Sequence, residues 1–191
     1  RLLTGVAALC DGVCELTGTE RMKQRPIGDL LNAMNDLGIE AVSIDRNGCP
    51  PVRISGGRVK GGKTSIRCKI SSQFLSALLL IGPYTMEGLD IRVEEGPVSK
   101  PYIDMTVEVM RRCGVKVERE DYERFFVSGG QVYKSGNYRV EPDCSQAGYF
   151  WGAAAIAGAR IKVLGTTSKS RQGDVRFAEV LGRMGCRVEE E

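Results

Sequence analysis

The sequence contains no histidine among its 191 residues. That removes the commonest nitrogen ligand for zinc, and Cys10 and Cys14, in CDGVC, form the only close cysteine pair. Without a second pair a zinc site is not expected. The seven cysteines, at Cys10, Cys14, Cys49, Cys68, Cys113, Cys144 and Cys186, are odd in number and form no tight framework. A reduced, cytoplasmic setting follows, with thiols acting as small buried hydrophobes. The longest apolar run, Phe74 to Ile81, is far too short to cross a bilayer. No charged-then-apolar signal peptide opens the chain. The stretch from Arg53 to Lys69 lacks any acid, holding Arg53, Arg58, Lys60, Lys63, Arg67 and Lys69. It also lacks the aromatics that stack on bases, and a net charge of +3 is too mild to argue for nucleic acid. Its Gly56-Gly57 and Gly61-Gly62 pairs match no Walker pattern and read as β-turns between solvated strands near an anionic pocket.

What is present is ordinary globular material, 42% hydrophobic and 27% charged, enough for a core. It is organised as a repeat. Three segments begin an amphipathic run near an aspartate and close it with glycine: RPIGDLLNAMNDLG, KPYIDMTVEVMRRCG and QGDVRFAEVLGRMG. The aspartates are Asp29, Asp104 and Asp174; the glycines are Gly38, Gly114 and Gly185, recurring about every seventy residues. Acid near the first turn and glycine after the last are helix punctuation.

A second helix type lies between them, in RLLTGVAALCDG, SSQFLSALLLIG and CSQAGYFWGAAAIAG. These are apolar nearly all round and predict helices buried on every side. Each leads into a strand, VCELTG, LDIRVEEG or ARIKVLG, and each amphipathic helix into two more, such as VKVERE and RFFVSGG. The predicted fold is α/β, built of repeated βαβαββ units, about two and a half of them in this chain. Strands joined through helices imply parallel pairing.

Three places are suited to chemistry. Ser71, Ser72 and Gln73 crowd the start of the most apolar helix. Two readings stand open: a plain cap, for which one hydroxyl suffices, or a ring of neutral donors at the positive end of a helix, cradling an oxyanion such as phosphate. The corresponding Asp143-Cys144-Ser145-Gln146 carries an acid and reads as a capped helix only. Arg21, Lys23 and Arg25 precede Pro26, which suits a first helical position. They form either a solvated loop or a carboxylate or phosphate fork. Ser99, Lys100 and Tyr102 lie in GPVSKPYID, stiffened by Pro97 and Pro101, a loop that is either a simple connection or a fixed set of donors.

RMKQRPIGDL, SSQFLSALLL, VSKPYIDMT and QGDVRFAEVLGRMG, taken together and in this order, resemble the 5-enolpyruvylshikimate-3-phosphate synthase family over essentially the whole chain. The resemblance implies an enolpyruvyl transferase fold of two inverse α/β barrel-like lobes built from βαβαββ units, with ligands in the cleft between them. It implies transfer of the enolpyruvyl group of phosphoenolpyruvate to a hydroxyl of shikimate 3-phosphate, with release of phosphate. The partners would be these two small molecules, with no metal, no organic cofactor, no nucleic acid and no membrane. Motif by motif, Ser71, Ser72, Gln73, Ser99 and Tyr102 would hold shikimate 3-phosphate. Arg25 would pair with phosphoenolpyruvate, in the region addressed by the inhibitor glyphosate, with Gln73 near both ligands. Arg1 matches the last residue of the family's glycine-rich segment.

The sequence also departs from the family. It opens on RLLTGVAALCDG, without methionine and part-way into a helix, and EPDCSQAGYF stands where the family pattern is EGDASSASYF. The family's N-terminal lysine, the rest of its glycine-rich segment and its later acids and cations have no counterpart, and no catalytic residue is identified here. We expect an internal piece of a longer enzyme, inactive alone and completed by the missing remainder. Residues 1–141 would form most of one lobe, and residues 142–191 the start of the other. The alternatives are a relative acting on a UDP-sugar, or a non-catalytic binding module of the same fold.

Overall fold

Apolar periodicity and glycine stops set out the elements in a computed structural model that describes residues 1–190. In chain order they are α1 (Leu2–Ala7), β1 (Gly12–Leu16), α2 (Glu20–Lys23), α3 (Gly28–Asp36), β2 (Glu40–Ser43), β3 (Val52–Gly56) and β4 (Gly62–Arg67). There follow α4 (Gln73–Ile81), β5 (Leu89–Glu95), α5 (Lys100–Arg112), β6 (Val117–Glu120), β7 (Arg124–Val127), α6 (Cys144–Ala157) and α7 (Arg176–Arg183). The chain divides into two compact units, residues 1–135 and the residues from Gly136 onward.

In the first unit, β4-α4-β5-α5-β6-β7 is one complete βαβαββ repeat, its strands ordered β4-β5-β7-β6. Only β4 and β5 run parallel; β5–β7 and β6–β7 are antiparallel. The preceding sheet, β1-β3-β2, is antiparallel throughout and reproduces the β5-β7-β6 part of that order. The expectation of parallel pairing is therefore corrected. A helical crossover separates the strands joined through α3 and α5, but a later hairpin strand inserts between them and pairs antiparallel with both.

Of the helices expected to be buried on every side, α4 is, with seven of its nine residues buried and only Gln73 and Leu80 more open; α1 is not, its Leu2, Leu3 and Val6 being 42%, 67% and 43% exposed because it packs by one face only. Phe74, Leu75, Leu78, Leu79 and Ile81 join Leu30, Met34, Ile54, Ile66, Ile91, Met110 and Phe125 in one core. Each such side chain contributes about 1.5–3 kcal/mol on leaving water. Helix α1 packs on α4 closely enough that a Cβ at Gly5 would lie 2.7 Å from the Ala77 carbonyl oxygen. The segment after β7 is tied to α4 by Tyr133, whose hydroxyl donates to the Leu80 carbonyl at 3.0 Å.

The three helix-closing glycines behave as predicted: Gly38, Gly114 and Gly185 take φ of 79°, 84° and 99°, which side-chain-bearing residues reach only with strain. The aspartates differ. Asp29 lies in the first turn of α3, Asp104 lies one turn inside α5, and Asp174 lies in the 3-10 turn before α7. Pro26 does not open a helix either: α3 starts at Gly28, and Arg21 and Lys23 sit on the short α2.

The second unit holds α6 and α7. Two predictions fail here. ARIKVLG and the segment after Gly185 form no strand among the described residues, because neither faces another strand with which to share a ladder. Helix α6 is not buried on every side: only Cys144 and Ala147 are, while Tyr149 is 74% and Ile156 91% exposed. Its composition asks for surrounding layers that the second unit does not supply.

Among the described residues no helix is long and apolar enough to cross a membrane. Replacing Gly5 by alanine should force α1 away from α4 and lower stability by about 1–3 kcal/mol, read from urea denaturation. An unchanged midpoint would contradict this packing.

Candidate functional site

A helix as apolar as α4 buries its length, but its first turn still needs partners for its backbone N–H groups. The Gln73 N–H is met by Ser71 Oγ at 3.2 Å, so Ser71 does act as a local cap. Ser72 holds the N-cap position without a side-chain capping bond, and no acid lies in the first turn. Ser71 and Ser72 are drawn in, 7% and 4% exposed, whereas Gln73 is exposed. The capping reading holds for Ser71. Ser71 caps, while the positive end of the helix remains without a counter-charge from its own sequence.

Arg25 is exposed, and its guanidinium makes a long contact to Met22 Sδ at 4.0 Å. Its neighbour Pro26 accepts a hydrogen bond at 3.0 Å from Nη2 of Arg1. The Arg1 guanidinium also stands 5.1 Å from the centre of the Phe74 ring, in the first turn of α4. Arg1 thus joins the loop carrying Arg25 to the turn carrying Gln73. Burial lowers the pKa of the Arg1 guanidinium from its ordinary value, and the charge of Arg25 lowers it further. Nε of Arg1 is buried without an acceptor. Among the described residues neither Arg1 nor Arg25 forms an ion pair with a carboxylate. Two cations that repel each other beside a helix N-terminus form a place that an anion stabilises.

Lys100 and Tyr102 lie in the first turn of α5 rather than in the loop before it, with Ser99 at the N-cap position, and this helix start is joined to α4. Thr106 Oγ1 donates to the Tyr102 carbonyl at 2.9 Å and lies 2.8 Å from Ser76 Oγ. With its single proton committed to the carbonyl, Thr106 receives the proton of Ser76. Ser76 lies one turn along α4 from Ser72, so the N-terminal ends of α4 and α5 are fixed side by side. Ser99 caps α5 in the left-handed conformation, φ 56°, and Tyr102 is 45% exposed.

Other predicted features resolve as structure. Three cations of the acid-free run are paired from neighbouring elements: Arg53 with Glu15, Lys60 with Glu87 and Arg67 with Glu94. Asp143 accepts from the Ser145 N–H at 2.8 Å, a capped helix as expected. The residue that sequence reasoning passed over is Arg1. Its match to the end of a glycine-rich segment was the available signal, but the contact with Phe74 exists only once α1 lies on α4.

The family model for EPSP synthase (3-phosphoshikimate 1-carboxyvinyltransferase) matches residues 1–191. The chain belongs to the EPSP synthase family. It is 45% identical over 190 residues to a 3-phosphoshikimate 1-carboxyvinyltransferase of a Sulfurovum species, covering 99% of this chain and 44% of that protein. A counterpart from a Marinomonas species is 48% identical over 185 residues, covering 95% and 44%. The solved EPSP synthase of Acinetobacter baumannii superposes with a TM-score of 0.67 at 27% identity, over 82% of this chain and 34% of that one. The chain thus has the enolpyruvyl transferase fold and spans under half the length of the curated relatives it matches.

Burial pushes the Cys68 thiol, just before the Ser71 turn, up to about 11. At pH 8 iodoacetamide should alkylate exposed Cys10 and leave Cys68 unmodified in a peptide map. Equal labelling of the two would show that the turn before α4 opens in solution.

Proposed function

We propose that the chain supplies the shikimate 3-phosphate-binding side of an EPSP synthase, the enzyme that moves the enolpyruvyl group of phosphoenolpyruvate to shikimate 3-phosphate and releases phosphate. The observation that carries this reading is the pair of unneutralised guanidinium groups, Arg1 and Arg25, beside the acid-free N-terminus of α4. In this reading Ser71 and Ser72 hold the phosphoryl group of shikimate 3-phosphate with the α4 dipole, and Gln73 contacts the same molecule. Ser99 and Tyr102, at the adjoining start of α5, contact the same molecule. Arg25 takes the anionic groups of phosphoenolpyruvate, Gln73 lies between the two ligands, and Arg1 holds the Arg25 loop against α4.

The reaction adds a substrate hydroxyl to an enol carbon and then expels phosphate, so charge builds on groups that fixed cations and donors stabilise. That electrostatic work needs no metal and no organic cofactor. The proton transfers need acids and bases that the site described here does not contain, and we assign them to a remainder of the protein beyond these residues. On this view residues 1–141 belong to one lobe and those from 142 onward begin the other. The boundary between the two compact units, after Ser135, lies shortly before that point. The reading carries with it a cytoplasmic location and the glyphosate-addressed region around Arg25.

Calorimetric titration tests it. The unaltered chain should bind shikimate 3-phosphate weakly, Ser72→Ala should weaken that about tenfold, and Arg25→Ala only about twofold. Absence of heat with the unaltered chain would overturn the proposed site. Supplied with both substrates, the isolated chain should release no phosphate above background; turnover would refute the division of labour.

A further inference from the structure

Helix α5 begins badly for a helix. Its first residue is Lys100, a cation at the positive end of the helix dipole, and its cap, Ser99, is in a left-handed conformation that a non-glycine residue holds only when its surroundings enforce it. Side chains of the β6–β7 hairpin reach the first turns of this helix. Tyr122, next to Asp121 at φ 46°, donates its hydroxyl to Asp104 Oδ2 at 2.7 Å. The other oxygen of Asp104 accepts from Arg119 Nη1 at 2.6 Å. Lys100 Nζ lies 4.8 Å and Arg119 Cζ 4.9 Å from the centre of the Tyr122 ring. One ring therefore meets two cations, while its hydroxyl grips the carboxylate one helical turn beyond Lys100.

We infer that Tyr122 is a positioning residue for the ligand site, acting through Lys100 and Asp104 to hold the first turn of α5, and with it Ser99 and Tyr102, against the N-terminus of α4. The inference rests on the function proposed above. The Ser76–Thr106 link holds α5 from the α4 side, and Tyr122 holds it from the opposite end of the repeat. Loss of the hydroxyl leaves the ring and both cation contacts in place but removes its hydrogen bond to Asp104. The bond to Asp104 also pushes the Tyr122 hydroxyl above the usual tyrosine range, as a donor held by a carboxylate requires.

Amide NMR of the 15N-labelled chain, titrated with shikimate 3-phosphate, separates positioning from bulk stability. In the unaltered chain the amides of Gln73, Phe74, Ser99 and Tyr102 should all shift. In Tyr122→Phe the shifts at Ser99 and Tyr102 should fall by more than half, those at Gln73 and Phe74 should persist, and Kd should rise about fivefold, the loss expected for one hydrogen bond to a charged group. Arg119→Gln, on an exposed strand, should give the same selective loss if Tyr122→Phe fails to fold. Full retention of the Ser99 and Tyr102 shifts in either folded variant would overturn the inference. Equal loss at all four amides would also overturn it, by showing a structural role alone. Absence of shifts in the unaltered chain would defeat the proposed site itself, and this inference with it, by a pattern distinct from both.

Discussion

The site depends on the burial of α4. A nine-residue helix with seven buried residues has little freedom to tilt or slide, since every shift trades close packing for voids. Its N-terminal end is therefore fixed in space, and three other segments are referenced to it. Helix α1 reaches it through the close approach of Gly5, and Arg1 reaches it through the Phe74 ring. The Arg25 loop follows through Pro26, and α5 through Ser76 and Thr106. Polar residues on α4 appear where they serve these links, and the rest of the helix is core.

Electrostatics then gives the end of α4 its character. Several basic residues in the first unit are paired with an acid, as Arg53 is with Glu15 and Arg67 with Glu94. Those pairs are exposed and contribute about 0–1 kcal/mol each. Arg1 and Arg25 are not answered in this way, and together with an orphaned Nε they leave a local excess of positive charge. A protein that leaves cations unpaired beside a helix N-terminus has placed there the elements of an anion site.

Much of this fold was legible in the sequence because it is written in local terms. Gly38, Gly114 and Gly185 mark helix ends by a backbone conformation that depends on a single residue, and the all-round apolarity of Phe74–Ile81 marks a central helix. The misreadings share a different cause. Strand direction depends on which strand inserts where, which is a property of the whole sheet, so parallel pairing was overestimated. ARIKVLG has strand-like alternation but no ladder to join, and α6 has a core-helix composition but few neighbours. For the candidate site, Ser71, Ser72 and Gln73 stood out by their types, while a binding role for Ser99 and Tyr102 came only from the family resemblance. The cap at Ser71 was one of the two readings the sequence left open, and being local it was legible there; the contact of Arg1 with Phe74 was not, since it depends on elements distant in the chain.

The central claim is that the N-terminal end of α4 is a seat for a phosphoryl group. Crystals of the chain soaked with shikimate 3-phosphate test it most directly. The account requires the phosphorus at the first turn of α4, its oxygens about 3 Å from the Ser72 hydroxyl and the neighbouring backbone N–H groups. Density for the ligand at any other surface, with that turn unoccupied, would contradict it.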